Sequence, residues 1–248
     1  MSEALTAKTI TITGSGGDEI EAYLATPDDG ASSRGSVVVI HHMPGYDSST
    51  KEIVRKFAAH GYAALMPNLY YREAPGANPD DAAATARANG GVPDARLVGD
   101  VGGAADYLRG LAGSNGKVGV IGYCSGGRQS FLAACSLQLD AAVDCYGACI
   151  VNPPPEGMPL KVSPIVDLAK DLSCPLLGLF GADDKYPAPD ETAALSKALD
   201  AVDKPHEFHT YEGAGHAFFA VDRTAYRPEA ANDGWQKIWD FYGQYLAS

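Results

Sequence analysis

Cys124 lies at the centre of the stretch VGVIGYCSGGRQS, residues 118–130, where residue types and spacing together favour chemistry. An apolar run leads into Gly122, and Gly126 follows two residues after the cysteine. A strand that turns directly into a helix brings the residues two before and two after its corner into close contact, so both must be small. The pattern therefore predicts a nucleophile elbow that exposes the Cys124 thiol at a helix N-terminus, where the helix dipole favours a thiolate.

A cysteine nucleophile needs a base, and the base needs a group that orients it. In folds with a nucleophile elbow these partners follow in the order nucleophile, acid, histidine. The stretch LLGLFGADD brings Asp183 or Asp184 to the carboxyl end of a predicted strand. The later stretch YEGAGHAFF places His216 in a glycine-flanked loop. The order of these residues predicts a catalytic site made of Cys124, one of the two carboxylates and His216.

Two backbone N–H groups are expected to form an oxyanion hole beside the thiol. The first belongs to Ser125, which is not itself the nucleophile because a tyrosine lies two residues before it. The second is expected from the loop HHMPGYD, where Met43 precedes a Pro-Gly turn. Because side chains alternate along a strand, one of His41 and His42 is expected to point into the site.

Predicted strands and helices alternate along the chain, which indicates a mostly parallel, doubly wound α/β sheet with helices on both faces. Sites in such sheets form at the carboxyl ends of the strands. Residues 70–93 show little periodicity and are expected to form an excursion over the surface. The predicted strands cover residues 8–13 and 20–26, as an antiparallel pair, then 36–42, 62–68, 117–123, 139–147 and 174–184, with a strand and loop over 206–216. The predicted helices cover residues 49–61, 94–112, 126–137, 188–200 and 228–246.

The composition is that of a globular protein, with 46% apolar and 20% charged residues, and the length of 248 residues suits a single domain over 1–248. A net charge of −12 disfavours nucleic acid and anionic membranes as partners. No apolar run approaches the roughly 18 residues of a membrane span, and no secretory signal is visible. Five cysteines, an odd number, indicate free thiols in the reducing cytoplasm. Neither metal-ligand spacing nor a nucleotide-binding glycine pattern is present, so no metal or cofactor is expected.

The chain resembles the dienelactone hydrolase (carboxymethylenebutenolidase) family of α/β-hydrolases. The resemblance extends over residues 8–246 and is carried by the motifs NLYYREAPG, SNGKVGVIGYCSGG, GADDKYPAP and YEGAGHAFF. It implies hydrolysis of an enol-lactone or related ester through a triad of Cys124, His216 and Asp183, with an acyl-cysteine intermediate and no cofactor. The spacing from Asp183 to Pro187 favours Asp183 over its neighbour. The implied partner is a small-molecule ester or lactone, anionic substrates included, and the protein is expected to be a monomer.

His42 departs from the pattern of this family. Members similar to this chain carry a glutamate at that position, which hydrogen-bonds the resting thiol and helps to ionise it when substrate arrives. A histidine differs from glutamate in reach and pKa, although it can both donate and accept a hydrogen bond. His42 is therefore a candidate for thiol activation or substrate binding.

The arginines that hold the substrate carboxylate in the family have no direct match here. The family places one of them where this chain has Ala220, and Arg223 follows three residues later. The other lies in the excursion after APG, where Arg87 or Arg96 is available. Arg72, in YYREAPG, matches the family, and a structural role is the alternative to a substrate contact at this position. The candidates for substrate binding are accordingly Arg72, Arg87 and Arg223.

Two other functions remain open from the sequence. One is a non-catalytic ligand-binding protein on a hydrolase scaffold, because a fold does not guarantee activity. The other is a thiol redox role for Cys124, which needs a second thiol nearby, such as Cys145 or Cys149. The binding function predicts affinity without turnover, and the redox function predicts a disulfide that forms with peroxide.

Overall fold

The computed structural model describes residues 5–27 and 34–247, which form an eight-stranded sheet. The strands are β1 (Leu5–Thr13), β2 (Glu19–Pro27), β3 (Ser36–Ile40), β4 (Ala63–Pro67), β5 (Val118–Tyr123), β6 (Ala141–Cys145), β7 (Leu176–Gly181) and β8 (His206–Tyr211). Their spatial order is β1-β2-β4-β3-β5-β6-β7-β8. The pairs β1–β2 and β2–β4 are antiparallel, and every pair from β4 to β8 is parallel.

The burial of the strands follows their composition. β3 and β4 are buried at every position, as expected of apolar strands that are covered by helices on both faces. β2 alternates between buried and more exposed positions over most of its length. Together with the strand pairing given above, this burial agrees with the sequence prediction. The antiparallel β1–β2 pair and the mostly parallel sheet are confirmed.

Helices cover both faces of this sheet. Phe57 and Tyr242 belong to the apolar core on one face, and Leu97 and Phe131 belong to the core on the other. None of the helices within the described residues has the length and apolar character that a bilayer crossing requires. The helices are α1 (Ser48–Ala59), α2 (Pro79–Ala88), α3 (Asp94–Arg109), α4 (Ser125–Ser136), α5 (Pro189–Asp200) and α6 (Pro228–Leu246).

The excursion predicted over residues 70–93 contains a helix, α2, which the weak periodicity of the sequence did not indicate. Asn78 caps this helix by accepting a hydrogen bond from the Asp81 N–H, and Pro79 occupies its first turn. Proline suits that position because its missing N–H would have no partner there. The buried face of α2 is made of alanines, whose small side chains give a weak helical pattern in the sequence.

The topology brings four chain segments to one edge of the sheet. β3 and β5 are neighbours, so the loop after Ile40 lies beside the turn after Tyr123. β7 and β8 pair directly, and the segments that follow them are joined by the hydrogen bond from Asp183 N to Ala214 O, 2.9 Å long. Because the strands from β3 to β8 are parallel, the loops that carry the candidate site all leave from their carboxyl ends.

Candidate active site

The turn between β5 and α4 holds Cys124 in a conformation that few residues adopt. Its φ is 58° and its ψ is −121°. A Cβ atom on Gly122 would lie 1.8 Å from the carbonyl oxygen of Gly126, and one on Gly126 would lie 2.7 Å from that of Ile40. Neither position has room for a side chain. The tight turn that the glycine spacing predicts is therefore present, with the cysteine at its corner.

Two backbone N–H groups are directed at the sulfur of Cys124. They belong to Ser125 and Met43, the residues predicted to form the oxyanion hole. The hydroxyl group of Tyr70 donates a 3.0 Å hydrogen bond to the carbonyl oxygen of Met43 and so helps to fix the orientation of that residue. The arrangement offers two donors where negative charge would develop on a carbonyl oxygen attacked by the thiolate.

His216 joins the cysteine to Asp184, not to Asp183. Nδ1 of His216 lies 2.9 Å from Oδ2 of Asp184, whose side chain is only 2% exposed. The other ring nitrogen faces Cys124, with which the histidine shares a hydrogen bond. The prediction that Asp183 is the acid is wrong on geometry, because the turn after β7 buries Asp184 and leaves Asp183 exposed. Asp184 Oδ1 also accepts a hydrogen bond from the Tyr186 N–H, which fixes the carboxylate.

The electrostatics of the pair favour a thiolate opposite an imidazolium. Burial opposes ionisation of the Cys124 thiol, but the hydrogen bond and charge of His216, with the N–H groups of Ser125 and Met43, lower its pKa below the ordinary value. Burial alone would lower the pKa of His216, but its hydrogen bonds to Asp184 and Cys124 outweigh this and raise the pKa to about 10. Each partner therefore stabilises the charged form of the other.

The thiol opens into a cleft of about 570 Å³. Asp184 and His216 form one side of it, and Ser125 and Met43 lie beside the sulfur. The remaining lining comes from the segment after β4, the turn after α2, the start of α4, the loop after β6 and the segment after β7. These residues are Tyr70, Gly91, Val92, Arg128, Gln129, Ala148, Cys149, Pro155, Met158, Leu160, Val162, Asp183, Lys185 and Tyr186.

Neither histidine of the HHMPGYD loop lines this cleft. His41 is buried and accepts a hydrogen bond from the Leu69 N–H, and burial lowers its pKa to about 4. Nε2 of His42 lies 2.7 Å from Oδ2 of Asp47. His42 lines a second cavity of about 510 Å³, which Ala220 also lines. The expectation that one of these histidines points into the site is therefore wrong.

The predicted substrate arginines also lie outside the cleft lining. Arg72 donates to both oxygens of the buried Asp100 and forms a further ion pair with Asp18. This arginine ties α3 to the turn between β1 and β2, so the contacts agree with the structural alternative for Arg72 and not with a substrate contact. Arg87 is exposed on α2, and Arg223 is exposed in the segment after His216.

Sequence reasoning missed two residues that support the site. Tyr146 has a φ of 45°, and its ring meets that of His216 edge-on at a centroid distance of 5.1 Å. Asp144 is fully buried, and its Oδ1 accepts a 2.7 Å hydrogen bond from the Gly147 N–H. Burial raises the pKa of Asp144 to about 7. The only sequence signal was an aspartate inside an otherwise apolar strand, AAVDC.

The chain is similar to known proteins in sequence and in fold. A family model described as "Dienelactone hydrolase family" matches residues 20–246. A Salmonella typhimurium protein named "Putative carboxymethylenebutenolidase" is 33% identical over 245 residues, which cover 95% of this chain and 87% of that protein. A Yersinia pestis protein of the same name is 34% identical over 236 residues, which cover 94% of this chain and 86% of that protein.

A solved structure is also similar in fold. The crystal structure described as a "Putative Dienelactone Hydrolase" from Klebsiella pneumoniae has a TM-score of 0.85 and 31% identity, covering 98% of this chain and 100% of that one. The predicted α/β-hydrolase fold is confirmed.

Proposed function

The chain is a hydrolase that belongs to the dienelactone hydrolase family, and from this premise we propose that it cleaves a carboxylic ester or lactone through Cys124, His216 and Asp184. The observation that carries the proposal is the continuous contact from thiol to imidazole to buried carboxylate, with two N–H groups at the sulfur. Nucleophile, base and orienting group are the three parts that covalent acyl transfer requires.

In the first step the Cys124 thiolate attacks the carbonyl carbon of the substrate. A carbon–sulfur bond forms, and the carbonyl electron pair moves onto oxygen, where the Met43 and Ser125 N–H groups donate to it. When the carbonyl re-forms, the carbon–oxygen bond of the ester breaks. His216 gives its proton to the departing alkoxide, and the acyl group stays on sulfur as a thioester.

In the second step water replaces the alcohol. His216, now neutral, accepts a proton from water while the oxygen attacks the thioester carbonyl. The carbon–sulfur bond then breaks, which releases the carboxylic acid and restores the thiolate–imidazolium pair. Asp184 holds the ring in the tautomer that both steps use.

The test is hydrolysis of cis- and trans-dienelactone and of p-nitrophenyl acetate by the wild type and by Cys124→Ala. We expect turnover of at least one ester or lactone by the wild type and none above background by the variant, with circular dichroism confirming that the variant is folded. Equal rates for the two proteins on every substrate would refute the proposal and favour the ligand-binding alternative.

The redox alternative has one observation in its favour, because Cys149 lines the same cleft as Cys124. Burial raises the pKa of Cys149, so it is a poor thiolate, and Cys145 is completely buried. Reaction with hydrogen peroxide followed by peptide mapping separates the two functions. A Cys124–Cys149 disulfide that forms rapidly and reverses with thiol would support the redox role.

A further inference from the structure

The cleft beside Cys124 presents a mainly apolar wall to its ligand. Val92 and Tyr70 line it and are each only 5% exposed. The lining also includes Leu160 and Val162, which are partly exposed. Burying such side chains against a ligand is favourable only when the ligand surface that meets them is also apolar.

Large apolar side chains are also exposed at this cleft. Met158 is 42% exposed and Tyr186 is 49% exposed, and both line it. The described residues include only two other large apolar side chains with comparable exposure, Val202 and Val221. Exposed apolar residues that gather around a concave site indicate a surface that is covered when ligand binds.

The arginine in the cleft wall is not available to an anionic ligand. Nη1 and Nη2 of Arg128 donate to the two oxygens of Asp94, at 2.8 and 2.9 Å. Its Nη2 and Nε also donate to the carbonyl oxygens of Ser163 and Cys149. Four of its five N–H donors are therefore engaged, and its charge is neutralised by a carboxylate.

The other cations among the described residues that line the cleft are His216 and Lys185, and the His216 imidazolium is already paired with Asp184 and the Cys124 thiolate. Lys185 is exposed and directly follows Asp183 and Asp184 in the chain. Asp183 is exposed and also lines the cleft. The whole chain carries a formal charge of −12. The local charges and the net charge both oppose the entry of an anion.

From these observations we infer that the substrate is an uncharged ester or lactone with an apolar acyl or alkyl group, and not a carboxylate-bearing lactone. The inference rests on the proposed function and names its substrate class. The apolar group lies against Val92, Leu160 and Met158 while its carbonyl carbon meets the Cys124 sulfur. A second carboxylate on the substrate would lose water in this cleft, where Arg128 is already paired with Asp94 and the exposed Lys185 directly follows two aspartates in the chain.

The experiment compares three esters that share one leaving group. They are p-nitrophenyl hexanoate, mono-p-nitrophenyl adipate, which carries a terminal carboxylate on the same six-carbon acyl chain, and p-nitrophenyl methyl adipate, in which that carboxylate is masked. Rates measured with Cys124→Ala are subtracted as background. We expect kcat/KM for the hexanoate to exceed that for the adipate by about 30-fold or more, and the methyl adipate to recover most of the difference.

A variant that adds a positive charge to the cleft tests whether the lack of a free cation is what disfavours the substrate carboxylate. Met158→Arg adds a free cation at an exposed position of the cleft and should raise the adipate-to-hexanoate ratio about tenfold. Val221→Arg is the matched control, because Val221 is 70% exposed and lines the second cavity instead. The control should leave the ratio unchanged, since it adds the same charge to the protein away from the cleft.

The outcomes are separable. An adipate that is cleaved as fast as the hexanoate, or faster, overturns the inference and leaves the proposed function intact. The inference also fails if Lys185→Met lowers adipate turnover selectively, because Lys185 would then anchor a substrate carboxylate. Absence of turnover for all three esters overturns the proposed function, and the substrate class falls with it.

Discussion

The imidazole of His216 is held by Asp184 through a 2.9 Å contact between Nδ1 and Oδ2, although an adjacent carboxylate, Asp183, lies beside the same cleft. The two aspartates differ in burial, since Asp184 is 5% exposed whereas Asp183 is open to solvent. Only the buried carboxylate can fix the tautomer of the ring, because its interaction is not weakened by water.

This relationship predicts that Asp184→Asn and Asp183→Asn have very different effects. Asparagine at 184 keeps the shape but loses the charge and allows the wrong tautomer, so kcat/KM for p-nitrophenyl acetate should fall by about 10³-fold or more. The same change at 183 should alter kcat/KM less than about threefold. Steady-state kinetics on the two variants decide the matter, and a larger loss at 183 would contradict the assignment.

The contrast also shows what the sequence could and could not predict about the site. The elbow at Cys124 was predictable because it depends on local spacing, with Gly122 and Gly126 on either side of the corner. The choice between the two aspartates depends on the turn after β7 and on its bond to Ala214, which sequence spacing does not report. The spacing to Pro187 favoured Asp183, whereas the folded turn places Asp184 against His216.

The arginines illustrate the same limit for long-range partners. Arg72 lies in one of the motifs that carry the family resemblance and was a candidate for substrate binding, yet it pairs with Asp100, which is 28 residues away on α3. At the level of the fold, apolar strands such as β3 were predicted within two residues. The helix α2 was missed because alanines carry little pattern, although Asn78 and Pro79 formed a local start signal.

The second prediction concerns the reactivity of Cys124 towards iodoacetamide. Because its pKa is lowered by His216 and by two N–H groups, the rate of alkylation should reach half its maximum at a pH below about 8.5, the ordinary cysteine value. Peptide mapping should find Cys135 and Cys174 unmodified at pH 7, since burial raises the pKa of each to about 12. His216→Asn should move the midpoint upward. A midpoint at or above 8.5 in the wild type would argue against the ion pair.

The third prediction separates His42 from thiol activation. Its Nε2 is committed to Asp47, which also caps α1 by accepting from the Thr50 N–H. His42→Ala should therefore change kcat/KM less than about fivefold. His42→Glu, which introduces the residue that the resemblance implied for this position, should not raise activity, because it places a second carboxylate beside Asp47. A fall of more than about 100-fold in His42→Ala would show that the histidine acts on the thiol.

The free energy of unfolding should also distinguish the roles of His42 and Asp47. Asp47→Ala removes the helix cap and should lower the free energy of unfolding by about 1–2 kcal/mol in urea titrations. His42→Ala leaves the cap in place and should cost less. A larger loss at His42 than at Asp47 would contradict a capping role for the carboxylate.

The fourth prediction is that the elbow cannot accept even one methyl group. Gly122→Ala would place Cβ 1.8 Å from the Gly126 carbonyl oxygen, so the turn must open, and we expect loss of activity with a destabilisation above about 3 kcal/mol. Gly243→Ala is the matched control. Gly243 lies on α6, where an added Cβ would meet nothing within 4 Å among the described residues, and alanine there should stabilise the helix by up to about 1 kcal/mol. Thermal unfolding of both variants gives the comparison.

The fifth prediction concerns Asp144, whose Oδ2 is buried and has no hydrogen-bond partner among the described residues. Burial raises its pKa from 3.8 to about 7, so the folded protein binds more protons than the unfolded chain between about pH 4 and pH 7. The contribution of this group to stability must therefore fall as the pH rises through that window, by an amount on the order of 4 kcal/mol at most.

Urea unfolding at pH 5 and pH 8 measures this contribution. The wild type should lose more stability between the two pH values than Asp144→Asn, which cannot ionise. Asp106→Asn is the control, because that carboxylate is 80% exposed and should leave the pH dependence as it is in the wild type. Identical pH dependence in the wild type and in Asp144→Asn would show that Asp144 is already ionised in the folded protein at low pH. In that case its carboxylate would place a full negative charge beneath the first turn of α4, close to the cysteine that this turn helps to ionise.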